Sequence, residues 1–333
     1  MEEISHRPNF NDIELAAERL HQVALTTPLL ESTLLNQQLG MRLLIKAENL
    51  QRTGSFKFRG AYNKLKRHLD TFRKTGIVAY SGGNHAQGAA AAAAMLGIDA
   101  IILMPSDAPP IKIEQTRAYG AKVQLHDRWD DDRDAIATDI IAKSGRVLVP
   151  SFDDFDIIAG QGTVGLEIAA QCAAAGIVPD VLLLCCGGGG LCAGASLAAK
   201  ELMKTTQVFA VEPEDFDDTK RSLISGKREN NHRGSASICD ALLTQCGVMT
   251  LEMNRKTLDG VLTVSDHQTM TAMRTLFSAF KIVAEPGGAV AAASAIHFAA
   301  SGQINLSGKT VVAVVTGGNV EPQRFADALM AKD

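Results

Sequence analysis

Aromatic residues are scarce in this chain, at 5% with a single tryptophan, so it offers little on which nucleobases stack. Basic blocks are absent and the net charge is -4, which removes the electrostatic footprint of a nucleic-acid binder. Long apolar runs are absent too. The longest, such as Ala89 to Leu96, falls short of the ~20 residues a membrane helix needs, and no membrane partner is expected. The N-terminal MEEISHRPNF is acidic and polar, unlike a secretory signal. The six cysteines, Cys172, Cys185, Cys186, Cys192, Cys239 and Cys246, form no Cys-x-x-Cys pair and no regular spacing. They read as reduced, mostly buried thiols, and the expected location is cytoplasmic. Internal repeats, low-complexity tracts and long linkers are also missing.

What is present is a rhythm. The chain has 333 residues, 46% of them apolar, enough for two domains at roughly 150 residues each. Residues 11–25 predict an amphipathic helix capped by Asn11, and 43–48 a strand. Then strands at 77–80, 100–104, 122–125 and 147–149 alternate with helices at 86–96, 111–119 and 131–143. A helix from Gly160 to Ala175 follows, then a second series: strands at 181–186, 208–211, 261–264 and 311–315, helices at 191–203, 266–280 and 289–300. Such alternation predicts parallel sheets flanked by helices, in two α/β domains with a cleft between them. Ligands in such sheets bind beyond the carboxyl ends of the strands, where the glycine loops fall.

Four stretches carry chemistry. In Thr53-Gly54-Ser55-Phe56-Lys57-Phe58-Arg59-Gly60-Ala61, one lysine sits between phenylalanines at a loop-to-helix junction. Partial desolvation favours its neutral amine, which can form a Schiff base. An ordinary surface lysine at a helix start is the alternative. Cys186-Gly187-Gly188-Gly189-Gly190-Leu191 joins a strand to a helix, with converging backbone N–H groups that suit a phosphate. Gly188, Gly190 and Ala193 also match G-x-G-x-x-A, with Glu212 ending the next strand, so a dinucleotide-binding oxidoreductase is a rival. Ser81-Gly82-Gly83-Asn84-His85 suits a small anion such as a carboxylate, or is a capped turn. Thr316-Gly317-Gly318-Asn319 puts a hydroxyl at a strand end.

Taken together, S-F-K-F-R-G-A at 55–61, S-G-G-N-H-A-Q-G at 81–88, I-A-G-Q-G-T at 158–163, the tetraglycine at 187–190, E-P-G-G-A at 285–289 and T-G-G-N at 316–319 resemble the fold type II pyridoxal-phosphate enzymes, in the branch of serine/threonine dehydratases and serine racemases. The motifs span almost the whole chain in that family's order. The resemblance implies a two-domain, tryptophan synthase β-like α/β fold with twisted, parallel-rich sheets. Residues 1–52 and 153–333 would form the large cofactor-phosphate domain and 53–152 the small closing domain. It further implies that Lys57 carries pyridoxal 5'-phosphate and that Phe56 packs beside its ring. Asn84 would bond the ring oxygen, Thr316 the ring nitrogen, and Gly187, Gly188, Gly189, Gly190 and Leu191 the phosphate. Lys57 and Ser81 would be catalytic, with Ser81, Gly82, Asn84 and His85 seating the substrate. The implied activity is β-elimination of threonine, serine or 3-hydroxyaspartate to a 2-oxo acid and ammonia, in a homodimer.

Within that branch the residues discriminate further. Racemases usually carry a serine at the second loop position; here it is Gly82, so dehydration is the expected main activity and serine or aspartate racemisation the alternative. A non-catalytic, cofactor-bearing amino-acid sensor is a third reading. Glu212-Pro213-Glu214-Asp215-Phe216-Asp217-Asp218 resembles the racemase-like cation loop, with Glu212, Asp218 and the Phe216 carbonyl as ligands for magnesium or another divalent cation. A solvated acidic turn is the alternative. Arg133 matches an arginine near the substrate in that subgroup and would hold a second carboxylate, or is an exposed helix arginine paired with Asp130 or Asp134. No regulatory domain fits after Asn319, so isoleucine feedback is not expected.

Overall fold

A computed structural model describes residues 7–299 and 302–331. Its strands fall into two sheets. The six-stranded sheet runs β1 (Leu29–Glu31), β2 (Arg42–Ala47), β10 (Thr310–Val315), β7 (Val181–Cys185), β8 (Gln207–Pro213), β9 (Gly260–Val264). Only β1 pairs antiparallel, with β2; the other pairings are parallel. The four-stranded sheet runs β5 (Lys122–His126), β4 (Ala100–Pro105), β3 (Ile77–Tyr80), β6 (Val147–Leu148), all parallel.

Both sheets are covered on both faces, which is why their strands read as continuous apolar runs. Successive side chains of a strand point to opposite faces. In the large sheet Leu183, Cys185, Val311 and Ala313 pack with α12 (Asp266–Thr275) and α13 (Pro286–Phe298). Leu182, Leu184, Val312 and Val314 face α8 (Phe155–Ala174) and α9 (Gly190–Leu202). In the small sheet Ile77, Ala79 and Ile102 face α3 (Lys57–Arg67) and α5 (Asn84–Leu96), while Val78 and Leu103 face α7 (Arg133–Ser144). Each such fully buried Val, Leu or Ile contributes ~1.5–3 kcal/mol.

The remaining helices are α1 (Phe10–Leu20), α2 (Thr33–Leu39), α4 (Leu69–Thr75), α6 (Pro110–Ala118), α10 (Asp218–Ser225), α11 (Val248–Thr257) and α14 (Pro322–Met330). The sequence reading differs in places, each with a local reason. α1 is capped by Asn9 rather than Asn11, because Asn9 and Asp12 form a reciprocal capping box. α8 begins at Phe155, not Gly160, because Asp154 caps it through Asp156 and Ile157 N–H. The 266–280 helix changes to a π-turn at Leu276–Phe280. Of the helix expected at 289–300, Ala300 lies outside the described residues, and its start moves back to Pro286. All six cysteines are free and buried. No described helix is long and apolar enough to cross a membrane.

Candidate active site

Lys57 is the first residue of α3, so it stands at the loop-to-helix junction itself. The reason lies in the segment before it. Thr53 takes a left-handed backbone (φ 62°) and Gly54 follows with φ 70°. Ser55 then pairs with Gly317, and Gly318 N–H donates to the Gly54 carbonyl at 2.9 Å. Phe56 N–H donates to the Thr316 carbonyl at 3.1 Å. The end of β10 therefore fixes the chain on which Lys57 stands. Its Nζ donates to the Ser151 carbonyl at 2.9 Å and lies 5.2 Å from the Phe56 ring centre. Among the described residues no carboxylate pairs with it, and desolvation lowers its pKa to about 8.

Residues 151–153 join the lysine to the glycine loop. Next to Ser151, the Phe152 ring covers Gly188, where a Cβ would meet the ring at 2.4 Å, and the Phe152 Cβ and backbone lie against Gly190. Asp153 accepts from Val248 and Thr250 N–H, capping α11. Thr250 in turn donates its hydroxyl to the Gly188 carbonyl at 2.7 Å. The carbonyl side of the loop is thus held by α11. On the other side, no acceptor among the described residues takes the N–H groups of Gly187, Gly188, Gly189, Gly190 or Leu191. Free N–H groups at the start of α9 form an anion cradle.

The Ser81 loop closes the third side. It leaves β3 and enters α5, whose first residue is Asn84. Ser81 Oγ accepts from Gly83 N–H at 3.1 Å, so the hydroxyl shapes its own loop. Gly82 stands 3.5 Å or more, at the Cβ position, from Pro105 and Ala108. The Asn84 amide donates to Glu285 and accepts from Asn319 Nδ2 at 2.8 Å. His85 Nε2 meets the Val149 carbonyl at 3.0 Å, which places the ring proton there. Burial, then the Lys57 charge, push its pKa down to about 3. The ring is neutral, and its Nδ1 is a buried acceptor without a partner. Ser55 Oγ, fully buried, also lacks one. Unpartnered buried polar atoms beside a desolvated amine and a free N–H cradle fit a polar ligand with an anionic tail.

Two expected side-chain roles change in detail. A neutral His85 whose one N–H is held by Val149 has no ring donor for a carboxylate; what it offers there is backbone N–H at the start of α5. Arg133, first residue of α7, is paired with Asp134 at 3.1 Å and stacks on Tyr80, its guanidinium 4.1 Å from the ring centre. Tyr80 directly precedes Ser81, so Arg133 sits at the edge of the loop rather than on it.

Lys112 escaped the sequence reading. It lies in the first turn of α6 between Ile111 and Ile113, and is 2% exposed. Its Nζ is 2.7 Å from Asp240 and 3.3 Å from Glu285. A lysine set in an isoleucine pair was the one available sign. Glu285, though inside a quoted motif, was given no role.

Farther off, Glu212, next to last in β8, is fully buried. Its two oxygens accept from Thr219 and Lys220 N–H, each at 3.0 Å. Burial, and then the Asp218 charge, raise its pKa to about 8. A carboxylate so enclosed is closed to a ribose, which removes the dinucleotide reading. Asp218 accepts from Cys246 N–H at 2.8 Å. Among the described residues no three His, Cys, Asp or Glu side chains cluster as a metal site.

Comparison with known proteins agrees with this geometry. The family described as "Pyridoxal-phosphate dependent enzyme" matches residues 21–317. An L-threo-3-hydroxyaspartate ammonia-lyase of Pseudomonas sp is 39% identical over 96% of this chain and 98% of its own. A serine racemase of Schizosaccharomyces pombe is 36% identical over 97% of each. Among solved structures, the threonine deaminase of T.th. is 41% identical, with a TM-score of 0.87 over 94% of this chain and 99% of that one. A half-buried lysine with no carboxylate partner among the described residues, a cradle of free N–H groups and a match across nearly the whole chain converge: this protein belongs to the pyridoxal-phosphate dependent enzymes.

Proposed function

We propose that the protein is an ammonia-lyase that removes water from a small β-hydroxy amino acid by β-elimination, with 3-hydroxyaspartate as its preferred substrate. The observation that carries the reaction is the Lys57 amine, its pKa lowered to about 8 and, among the described residues, paired with no carboxylate, beside a glycine loop whose N–H groups find no acceptor among those residues. In this reading Lys57 holds the cofactor, and Gly187, Gly188, Gly189, Gly190 and Leu191 grip its phosphate. Phe56 flanks the ring, Asn84 donates to the ring oxygen and Thr316 meets the ring nitrogen. A hydroxyl partner does not force a proton onto that nitrogen as a carboxylate would. When bound, pyridoxal phosphate supplies the electron sink that makes the substrate's α-proton acidic.

The chain's own residues do the rest. The backbone N–H groups of Gly82, Asn84 and His85 orient the substrate carboxylate, while those of Ser81 and Gly83 hold the loop through the Leu103 carbonyl and Ser81 Oγ. The Lys57 amine is the base placed to remove the substrate's α-proton. The β-hydroxyl departs as water with the proton that Lys57 has taken up, and the released enamine takes up water and yields a 2-oxo acid and ammonia. His85 stays neutral and moves no proton. Racemisation needs a second acid–base group on the opposite face, and Gly82 has none.

Arg133, at the edge of the Ser81 loop, is the residue we assign to the second carboxylate of 3-hydroxyaspartate, exchanging Asp134 for substrate. The names of the ammonia-lyase relatives support the same choice. Glu212 and Asp218, two buried acids that repel, suit a divalent cation such as magnesium with the Phe216 carbonyl as third ligand. Residues 53–152 form the closing domain over 1–52 and 153–333, in a cytoplasmic homodimer. The test is a side-by-side assay of 2-oxo acid release from threonine, serine and 3-hydroxyaspartate. The highest kcat/KM is expected for 3-hydroxyaspartate, with a selective loss for it in Arg133→Ala; equal use of all three contradicts the assignment.

A further inference from the structure

We propose that Lys112 is a positioning residue that holds Glu285 as a carboxylate, and that Glu285 in turn fixes which way the Asn84 amide faces the cofactor. This rests on the reading of Asn84 as donor to the cofactor's ring oxygen.

The geometry is a short relay across the two sheets. Lys112 comes from α6 beside the small sheet, and Glu285 is the cap of α13 against the large one. Lys112 Nζ is 3.3 Å from Glu285 Oε2, and the other oxygen, Oε1, accepts from Asn84 Nδ2. Asn84 Oδ1 accepts from Asn319 Nδ2 at 2.8 Å, and that same nitrogen donates to the Thr53 carbonyl at 2.8 Å. Both amides are therefore set by acceptors that cannot donate. One Asn84 N–H remains for the ring oxygen. Gly317 completes the contact: a Cβ there would lie 2.1 Å from Glu285 Oε1.

Glu285 is 1% exposed, and a buried carboxylate keeps its charge only beside a cation. Among the described residues Lys112 is the base that ion-pairs with it. Lys112 stays charged because Glu285 and Asp240 together outweigh its burial. Without the ammonium, both burial and the nearby Asp240 charge favour protonation of Glu285. A protonated Glu285 offers a proton where Asn84 Nδ2 already donates, while Asn319 still holds Asn84 Oδ1, so the amide is pulled both ways and loses its set toward the ring oxygen.

The experiment uses the intact protein reconstituted with pyridoxal phosphate. It reads the visible absorption band and the cofactor dissociation constant in Lys112→Met, Lys112→Arg, Asp240→Asn, Glu285→Gln and Asn84→Ala. Lys112→Met is expected to shift the band in the same direction as Asn84→Ala and to weaken cofactor binding about tenfold, the size of one lost strong hydrogen bond. Lys112→Arg restores both, and Asp240→Asn keeps both within about twofold. Should Lys112→Met not fold, Glu285→Gln removes the charge at the other end and carries the same expectation. A wild-type band and affinity in Lys112→Met or Glu285→Gln, while Asn84→Ala loses both, overturns the relay alone. Equal damage from Asp240→Asn reduces Lys112 to a clasp between the sheets and also overturns it. An unchanged Asn84→Ala overturns the Asn84 reading, and the relay with it.

Discussion

At the scale of single residues, the account turns on which side chains can hold or move a proton. Desolvation lowers the Lys57 pKa to about 8, and among the described residues no carboxylate offsets it. The neutral amine is the form that captures an aldehyde, so capture of pyridoxal phosphate by the apo-protein should rise by about tenfold between about pH 7 and pH 9 and then level off. An unshifted lysine would give about a hundredfold rise with no plateau in that range. The same shift fixes a sign for stability. Between about 8 and the ordinary lysine value of 10.5 the unfolded chain binds more protons at Lys57 than the folded one, so its contribution to apo-protein stability grows with pH in that window. Gly82 makes a second prediction. Its Cβ position is open to ordinary contact with Pro105 and carries no left-handed φ. Gly82→Ser should fold with a stability change of about 0.5 kcal/mol or less, and chiral chromatography should detect racemisation of serine that the parent lacks. A serine there with no racemisation contradicts the role given to the missing side chain.

At the scale of elements, the glycine loop is shaped by what covers it. Phe152 lies where a Gly188 Cβ would go, and Gly189 holds a φ of 87°. Gly188→Ala should therefore weaken cofactor binding by at least about tenfold, measured by equilibrium dialysis. In a Phe152→Ala background the same change should cost markedly less, since the clash is with that ring; equal losses in both backgrounds contradict the packing account. This loop was readable in the sequence because four glycines in a row exceed what a turn requires. The sheet strands were readable for a related reason: strands buried on both faces leave continuous apolar runs such as Val311 to Val315. Other elements were not. α2, α10, α11 and α14 mix polar and apolar residues in short stretches, and long-range partners decide them. α11 is capped by Asp153, nearly a hundred residues earlier in the chain. Lys112 was hidden likewise: its partners Asp240 and Glu285 meet it only when α6, the 240 segment and α13 come together.

At the scale of the molecule, both sheets contribute to the cleft we propose as the active site. The large sheet brings the glycine loop and Thr316; the segment leading into the small sheet brings Lys57, and the small sheet itself the Ser81 loop. Buried ions stitch the region behind it. Arg59 pairs with Glu48 and Glu167, and Lys46 with Glu167. The proposed cation site lies outside this cleft, next to β8, so it should act on stability more than on chemistry. Chelation with EDTA should lower Tm by several degrees, and magnesium should restore it; an unchanged Tm removes Glu212, Phe216 and Asp218 as ligands. The most direct test of the central claim is to reduce the reconstituted protein with borohydride, digest it and map the pyridoxyl label by mass spectrometry. The account predicts one label, on the peptide bearing Lys57, and none in Lys57→Ala; a label on another lysine, or a protein that takes none, contradicts it.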